Sequence, residues 1–515
     1  MRIHKIIILS KYKIFNPGQV FLFGDDFVQG IVGVNGSGKS ILLELISNIF
    51  IEAVNQITKV NHTSKIEFEI IYSMVKDHMF NSALYNIRGN WGNIDRLNIK
   101  ISNRENEFGM WILNDREEVK IENLNLYFVF FPRRIIVYSS GHNENISNEI
   151  YNYKLYSFIE RDNLAVKRNN AGEIINEGVL ERYNEIFYYF DDKISKLAIL
   201  TAFLYKSINQ DFIKQFIDEV YVESFKLRFD ESDIYGNKIY FDEKVAYLLK
   251  ELYGIHSTKH TNENGLEYYQ YLLHDNVTKE KSALLAVFEG FHRLYEYNVY
   301  KIKKRTRKRI VHSFEKNKNL LIDWNIANNR VFELLDIIMR TNSGDVFDLR
   351  AFSDGEYQLL QLISILNIFS GSNNLFLLDE PETHFNPSWK SFFVSYLTKV
   401  ADRNSFVIFT SHNPEVITDL KKENVINMKR GFQNSLLIET FGANPNIISA
   451  NLFDKKNTVS EIANQKISEF RNKINQLNEN KDTMGLECLQ KEIESELGDS
   501  SERLMLLLEI KKRMK

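Results

Sequence analysis

The sequence predicts an α/β fold: a mixed or parallel sheet built from both ends of the chain, split by a large, mainly helical insertion and followed by a helical C-terminal tail. Three observations predict it. Val28–Val34 reads as a short buried strand, and after a glycine-rich turn Ile41, Leu42, Leu45, Ile46 and Ile49 recur at helical spacing. Two more apolar runs, Asn374–Leu378 and Ser405–Phe409, lie far down the chain and have the composition of parallel-sheet strands. The prolines are Pro17, Pro132, Pro381, Pro387, Pro414 and Pro445, so none falls between Arg133 and Glu380. Proline interrupts helix interiors; its absence leaves that stretch free for helices, and Ile194, Leu197, Leu200 and Leu204 are spaced for one.

The expected organisation follows from these elements. Residues 1–75 and 341–440 form the halves of one core, and 76–340 are inserted between them, with core strands to about residue 145 and a helical lobe beyond. Heptad-like stretches in the insertion are short, which argues against a long coiled coil. In the tail, 441–515, Ile467, Phe470, Ile474 and Leu477, then Leu489, Ile493 and Leu497, predict a helical hairpin.

Composition narrows the class. A chain of 515 residues, 44% hydrophobic and 26% charged, is globular rather than disordered or fibrous. The single cysteine, Cys488, excludes internal disulfides and cysteine-rich zinc sites. The apolar run Ile6–Leu9 is too short for a signal-peptide core or a membrane span, so a cytoplasmic location is expected. A net charge of −3 gives no overall attraction to nucleic acid; such a site would need local clustering.

The chemistry is concentrated in four motifs. Gly33-Val34-Asn35-Gly36-Ser37-Gly38-Lys39-Ser40 fits the G-x-x-x-x-G-K-S phosphate loop between strand and helix. Its glycines let backbone N–H groups turn toward phosphate oxygens at a helix N-terminus. Lys39 is placed for the β- and γ-phosphates of ATP, and the Ser40 hydroxyl for Mg²⁺. Asp379 and Glu380 end the second apolar strand: Asp379 is the candidate second metal residue, Glu380 the residue that positions or deprotonates the attacking water. His412 follows the third strand, where an imidazole can bond the γ-phosphate or that water. Ser353-Asp354-Gly355-Glu356 opens a further helix, and Ser353, Gly355 and Glu356 are candidates for a second anion site remote from the first.

In this order, phosphate loop, S-x-G-E, apolar strand with Asp-Glu, then histidine, the pattern resembles the ABC-type ATPases. The resemblance implies a head-to-head dimer in which Ser353 and Gly355 of one copy complete the ATP site of the other, and it places Asn386 at the D-loop. Within that class the split core without long heptad arms resembles the SMC-like and overcoming-lysogenization-defect-like ATPases of bacterial phage defence. Ile135-Ile136-Val137-Tyr138-Ser139-Ser140-Gly141-His142-Asn143, Asp379-Glu380-Pro381-Glu382-Thr383-His384 and Thr410-Ser411-His412-Asn413-Pro414 carry that resemblance, with Glu439-Thr440-Phe441-Gly442-Ala443-Asn444. Leu497-Gly498-Asp499-Ser500 is similar to the C-terminus of Septu-type ATPase subunits. Ser139–Asn143 is the candidate for the Q-loop position.

The resemblance implies a cytoplasmic ATP hydrolase that senses or regulates, paired with a separate nuclease subunit, of HNH type if the chain is Septu-like. The tail has no Asp-x-Asp pair for a Toprim nuclease, which assigns nuclease activity to a partner. Two alternatives stand beside this reading: an SMC-like DNA-repair or recombination ATPase, and an ATP-gated ribonuclease in one chain, for which Arg307 and His312 fit an R-x4-H spacing. The run from Lys301 to Arg309 holds seven cations in nine residues, and Lys303, Lys304, Arg305, Arg307, Lys308 and Arg309 are candidates for contact with nucleic acid or an acidic partner. A solvated helix face is the alternative for the same run.

Overall fold

The computed structural model describes all residues except 59–65, 85–86, 88–94, 106, 115–116, 142–147, 160–184, 209–212, 218, 262–266, 274–282, 316–329, 455–458, 480–482 and 514–515. His142 and Asn143 of the Q-loop candidate therefore lie outside the described residues. The chain divides into two compact units, Met1–Ala443 and Asn444–Lys515.

Among its described residues the larger unit has three sheets. The first is antiparallel and comprises β1 (Arg2–Ile8), β2 (Val20–Leu22), β4 (Phe68–Val75), β5 (Arg96–Arg104), β6 (Glu107–Leu113) and β7 (Glu118–Lys120), in the order β2-β1-β4-β5-β6-β7. The second draws on the whole length of the unit: β3 (Val28–Val32), β8 (Ile135–Ser139), β9 (Phe187–Phe190), β15 (Leu375–Asp379), β16 (Phe406–Ser411), β17 (Val425–Lys429) and β18 (Phe432–Asn434), in the order β18-β17-β3-β16-β15-β8-β9. Every pairing in it is parallel except β17 with β18. Parallel strands need covered faces, and β3, β8, β15 and β16 are buried along their full lengths, which is why they read as continuous apolar runs.

The helix Lys39–Thr58 leaves the end of β3. Its Leu42, Leu45, Ile46 and Ile49 join one buried cluster with Ile6, Ile70 and Ile99 of the antiparallel sheet and Leu375, Leu377 and Ile408 of the parallel one. Its length and apolar character would suit a membrane span, but most of it is buried in this core.

The inserted region adds a sheet to the expected helices. The helix Asp192–Leu204 forms where predicted, capped by Asp191 and burying Ile194, Leu197, Leu200 and Leu204. Around it, however, the described residues are not helical alone. They alternate helices with a third, antiparallel sheet made of β10 (Val220–Phe229), β11 (Ser257–Thr261), β12 (Glu267–Leu272), β13 (Phe332–Thr341) and β14 (Val346–Asp348), in the order β11-β12-β10-β13-β14. Lack of proline permits strands as readily as helices; the aromatic and β-branched residues Val220, Val222, Phe225 and Phe229 favour the strand. This sheet ends a few residues before Ser353 and delivers the S-x-G-E motif to the core.

In the smaller unit the predicted hairpin gains a third member. Glu461–Glu479, Thr483–Glu496 and Ser501–Arg513 bury Phe470, Ile474, Leu489, Ile493, Leu506 and Ile510 against one another. Ser501–Arg513 spaces Leu506 and Ile510 four apart among more exposed residues, a pattern too short to stand out in the sequence.

Candidate functional site

Strand register assembles the site. Asp379 pairs with Thr410 on one side and Ser139 on the other, and Ser411 pairs with Val32, so the C-terminal ends of β8, β15, β16 and β3 lie level. Groups at the carboxyl ends of adjacent parallel strands converge in this way on one crevice.

The phosphate loop crosses this edge. Gly33, Gly36 and Gly38 have φ of +147°, +75° and +103°. A Cβ at Gly33 would lie 2.1 Å from the Met428 carbonyl oxygen, so this position demands glycine sterically as well as conformationally, whereas Gly38 demands it through its φ. Asn35 and Gly36 are exposed at the tip; Ser37 is buried and its Oγ has no hydrogen-bond partner. An orphaned hydroxyl in a glycine cradle, with an ammonium beside it, fits a phosphate group. Lys39 Nζ donates to the Gly33 carbonyl at 2.9 Å and the Val34 carbonyl at 3.3 Å, curled over its own loop. Desolvation lowers its pKa, opposed by the charges of Glu380 and Asp379.

Ser40 and Asp379 meet. The Ser40 hydroxyl donates to Asp379 Oδ1 at 2.8 Å, so residues far apart in sequence present oxygens to one point, a donor set suited to Mg²⁺. Glu380 and His412 meet as well, with His412 Nδ1 3.2 Å from Glu380 Oε1. The hydrogen bond with Glu380 raises the His412 pKa, and the same bond, with help from Lys39, holds the Glu380 carboxyl below its ordinary value. Glu380 therefore stays ionised at neutral pH, as a proton acceptor must.

Ser353, Gly355 and Glu356 stand at the start of the helix Asp354–Ile368, and their hydrogen bonds are made there rather than to the chain's own phosphate loop. Ser353 and Glu356 form a capping box: Glu356 Oε2 accepts from the Ser353 N–H at 2.8 Å and from its hydroxyl at 2.7 Å. An anion arriving at this helix end would displace that carboxylate. A Cβ at Gly355 would approach the His384 carbonyl oxygen to 2.7 Å, and Gln358 Oε1 accepts from the His384 N–H at 3.0 Å. The helix is thus seated on the turn that follows Glu380. Asn386, at the expected D-loop, caps the helix Pro387–Val400 by accepting from the Trp389 N–H.

The basic run does not present all its cations. Lys301 is buried and paired with Asp230 at 2.7 Å, and Arg307 is buried with its guanidinium over the Tyr300 ring. Lys303, Lys304, Arg305, Lys308 and Arg309 are exposed, the last four at i, i+1, i+4 and i+5 along one face of the helix Lys304–Glu315. His312 is exposed while Arg307 is buried, so the R-x4-H pair is divided between the two faces.

Ser139, first residue of the Q-loop candidate, lies at the site, and two further residues, Thr410 and Glu382, escaped sequence reasoning as chemical participants. Ser139 Oγ lies 3.5 Å from Asp379 Oδ2, Thr410 bonds both acidic residues, and Glu382 is buried with the Ser411 hydroxyl as donor to it. Burial raises the Glu382 pKa to about 7. The available signal was strand register: a polar residue ending a strand beside one that ends in Asp379.

Residues 198–418, fewer than half of the chain, match the family described as "AAA domain, putative AbiEii toxin, Type IV TA system". That span holds the S-x-G-E motif, Asp379, Glu380 and His412 but not the phosphate loop. The DNA double-strand break repair Rad50 ATPase of Saccharolobus solfataricus is 28% identical over 85 residues, 16% of this chain and 10% of the relative. Protein ea59 of Escherichia phage lambda is 31% identical over 110 residues, 20% of this chain and 21% of the relative. The chain thus spans only a small part of either relative's length. Among solved structures, the SMC head domain of Thermotoga maritima aligns over 85% of this chain and 100% of its own at 12% identity and a TM-score of 0.32. The Pyrococcus furiosus Smc head bound to the C-terminal domain of ScpA aligns over 85% and 96% at 13% identity and a TM-score of 0.31. Over residues 198–418 the chain is thus similar to an AAA domain, and its motifs fit an ATPase.

Proposed function

We propose that this chain hydrolyses ATP at a site completed by a second copy, and that the cycle senses or regulates, controlling an associated nuclease in bacterial anti-phage defence. The observation that carries the hydrolase reading is the convergence of Lys39, Ser40, Asp379, Glu380 and His412 on one sheet edge. Loop amides, Ser37 and Lys39 bind and neutralise the phosphates. Ser40 and Asp379 would hold Mg²⁺, which supplies charge neutralisation at the phosphates. Glu380 takes the proton of the attacking water at its carboxylate, and His412, bonded to Glu380, orients that carboxylate and the water. The defence role is supported by the resemblance of Leu497-Gly498-Asp499-Ser500 and the core motifs to Septu-type ATPase subunits. The Rad50 similarity favours a second reading, a DNA-repair ATPase; copurification of a nuclease subunit with the natively expressed chain supports the first reading and its absence the second.

The composite site has a direct test. Ser353 is exposed and bonded to Glu356 rather than to the chain's own phosphate loop, so Ser353→Arg and Lys39→Ala are expected to damage different halves of a shared site. Each variant alone should be inactive. Mixed, they form heterodimers with one intact site, and part of the ATPase activity returns; no recovery in a mixture shown to contain heterodimers contradicts the shared site.

The exposed cations are proposed to contact a nucleic-acid backbone. Each phosphate neutralised releases counterions, so affinity should fall with salt at a slope of about −0.9 per contact on duplex DNA. Replacing Lys304, Arg305, Lys308 and Arg309 by glutamine should flatten that slope and weaken binding to bare DNA or RNA across sequences, while ATP turnover is unchanged. An unaltered slope returns this face to a solvated surface.

A further inference from the structure

The side chain of Thr410 is buried at the end of β16, between the two acidic residues of the site. Its hydroxyl donates to Asp379 Oδ1 at 2.7 Å and accepts from the Glu380 N–H at 2.9 Å, so one oxygen is bonded to both. Asp379 Oδ1 also receives the Ser40 hydroxyl, but Ser40 is the group expected to turn toward the metal, whereas Thr410 is fixed within the sheet. Ser139 approaches the other carboxylate oxygen at the limit of hydrogen bonding, 3.5 Å.

Glu380 has the greater need. Its φ is +49°, in the left-handed region that a side chain with a Cβ disfavours, and such a conformation persists only where its surroundings impose it. The N–H bond to Thr410 fixes the peptide entering Glu380, and with it the direction in which the carboxylate leaves the strand toward His412. A hydroxyl that spends its hydrogen on Asp379 has only a lone pair for Glu380, and the two bonds polarise each other in the same sense.

We infer that Thr410 is a positioning residue that couples the metal-side carboxylate Asp379 to the water-side carboxylate Glu380 through a single hydroxyl. The inference rests on the ATP-hydrolase reading and adds a residue to it. Outer-shell partners of this kind typically contribute about 10–100-fold to metal affinity or activity.

Thr410→Val preserves shape and removes the hydroxyl; Thr410→Ser preserves the hydroxyl and removes the methyl. The first readout needs no turnover: binding of a non-hydrolysable ATP analogue is titrated with Mg²⁺. The Mg²⁺ midpoint should rise about tenfold or more in Thr410→Val, while analogue affinity in EDTA stays at the wild-type value. The second readout is ATP turnover, where kcat should fall about 10–100-fold with KM changed by less than about threefold. Thr410→Ser should stay within about threefold of wild type in both. Should Thr410→Val fail to fold, judged by its melting curve, Thr410→Ala carries the same two readouts. A wild-type Mg²⁺ midpoint without the hydroxyl, or equal losses in the serine and valine variants, overturns the proposal. A wild-type chain that does not hydrolyse ATP overturns the hydrolase reading instead, and the Mg²⁺ titration remains interpretable by itself.

Discussion

Lys39→Ala is expected to lose nucleotide binding, with affinity for ATP lower by about a hundredfold or more. The lysine is the cation of the phosphate loop, it is buried, and its ammonium is held by the carbonyl oxygens of Gly33 and Val34 at the base of the glycine cradle. A triphosphate entering that cradle offers Lys39 a stronger partner than two carbonyls, because the hydrogen bond then joins opposite charges. With alanine, the loop meets the phosphate charge with backbone amides and Ser37 and has no cation of its own. Equilibrium binding of a fluorescent ATP analogue measures the effect, and equal affinity in wild type and variant would remove Lys39 from the site.

Glu380→Gln is expected to do the opposite: ATP stays bound within about threefold of the wild-type affinity, and turnover falls by about 10²–10⁴-fold. Glutamine keeps the shape of the side chain and its backbone bond to Thr410 but has no carboxylate to take a proton. Lys39 is only partly supported by the Glu380 charge, with Asp379 as a second neighbour, so the loop retains its cation. The histidine supplies an independent reading. Glu380 is the first cause of the raised His412 pKa, so removing its charge should lower that pKa, as followed by the pH dependence of the imidazole resonances. A variant that hydrolyses ATP at the wild-type rate, or a His412 titration that does not move, contradicts the assignment of Glu380.

Much of this site could be read from the sequence because its residues act through short-range chemistry. A glycine-rich turn between apolar strand and apolar helix is a local pattern, and β3, the helix Lys39–Thr58 and the acidic end of β15 sit within a few residues of their expected positions. The burial of the parallel strands on both faces is what made them conspicuous. The third sheet was not legible for the converse reason: its strands are only partly covered and their pairing is long-range, as between Val220 and Thr341, so no local window contains the partner. The basic run shows the same limit at the level of single residues. Charge counting cannot distinguish an exposed cation such as Lys304 from a buried one. It is the Asp230 carboxylate and the Tyr300 ring, brought in by the fold, that take Lys301 and Arg307 out of the exposed face. Thr410 escaped because its importance lies in register with Asp379, a relation between two strands.

The most direct measurement is the structure of the Glu380→Gln chain with ATP and Mg²⁺. One nucleotide is expected on each phosphate loop, with Lys39 Nζ withdrawn from the Gly33 and Val34 carbonyls onto the phosphates, Ser40 and Asp379 on the metal side, and Ser353 of a second copy closing over the same nucleotide. Lys39 still bonded to Gly33 with the nucleotide bound elsewhere, or a nucleotide enclosed by one copy alone, would contradict the shared hydrolytic site.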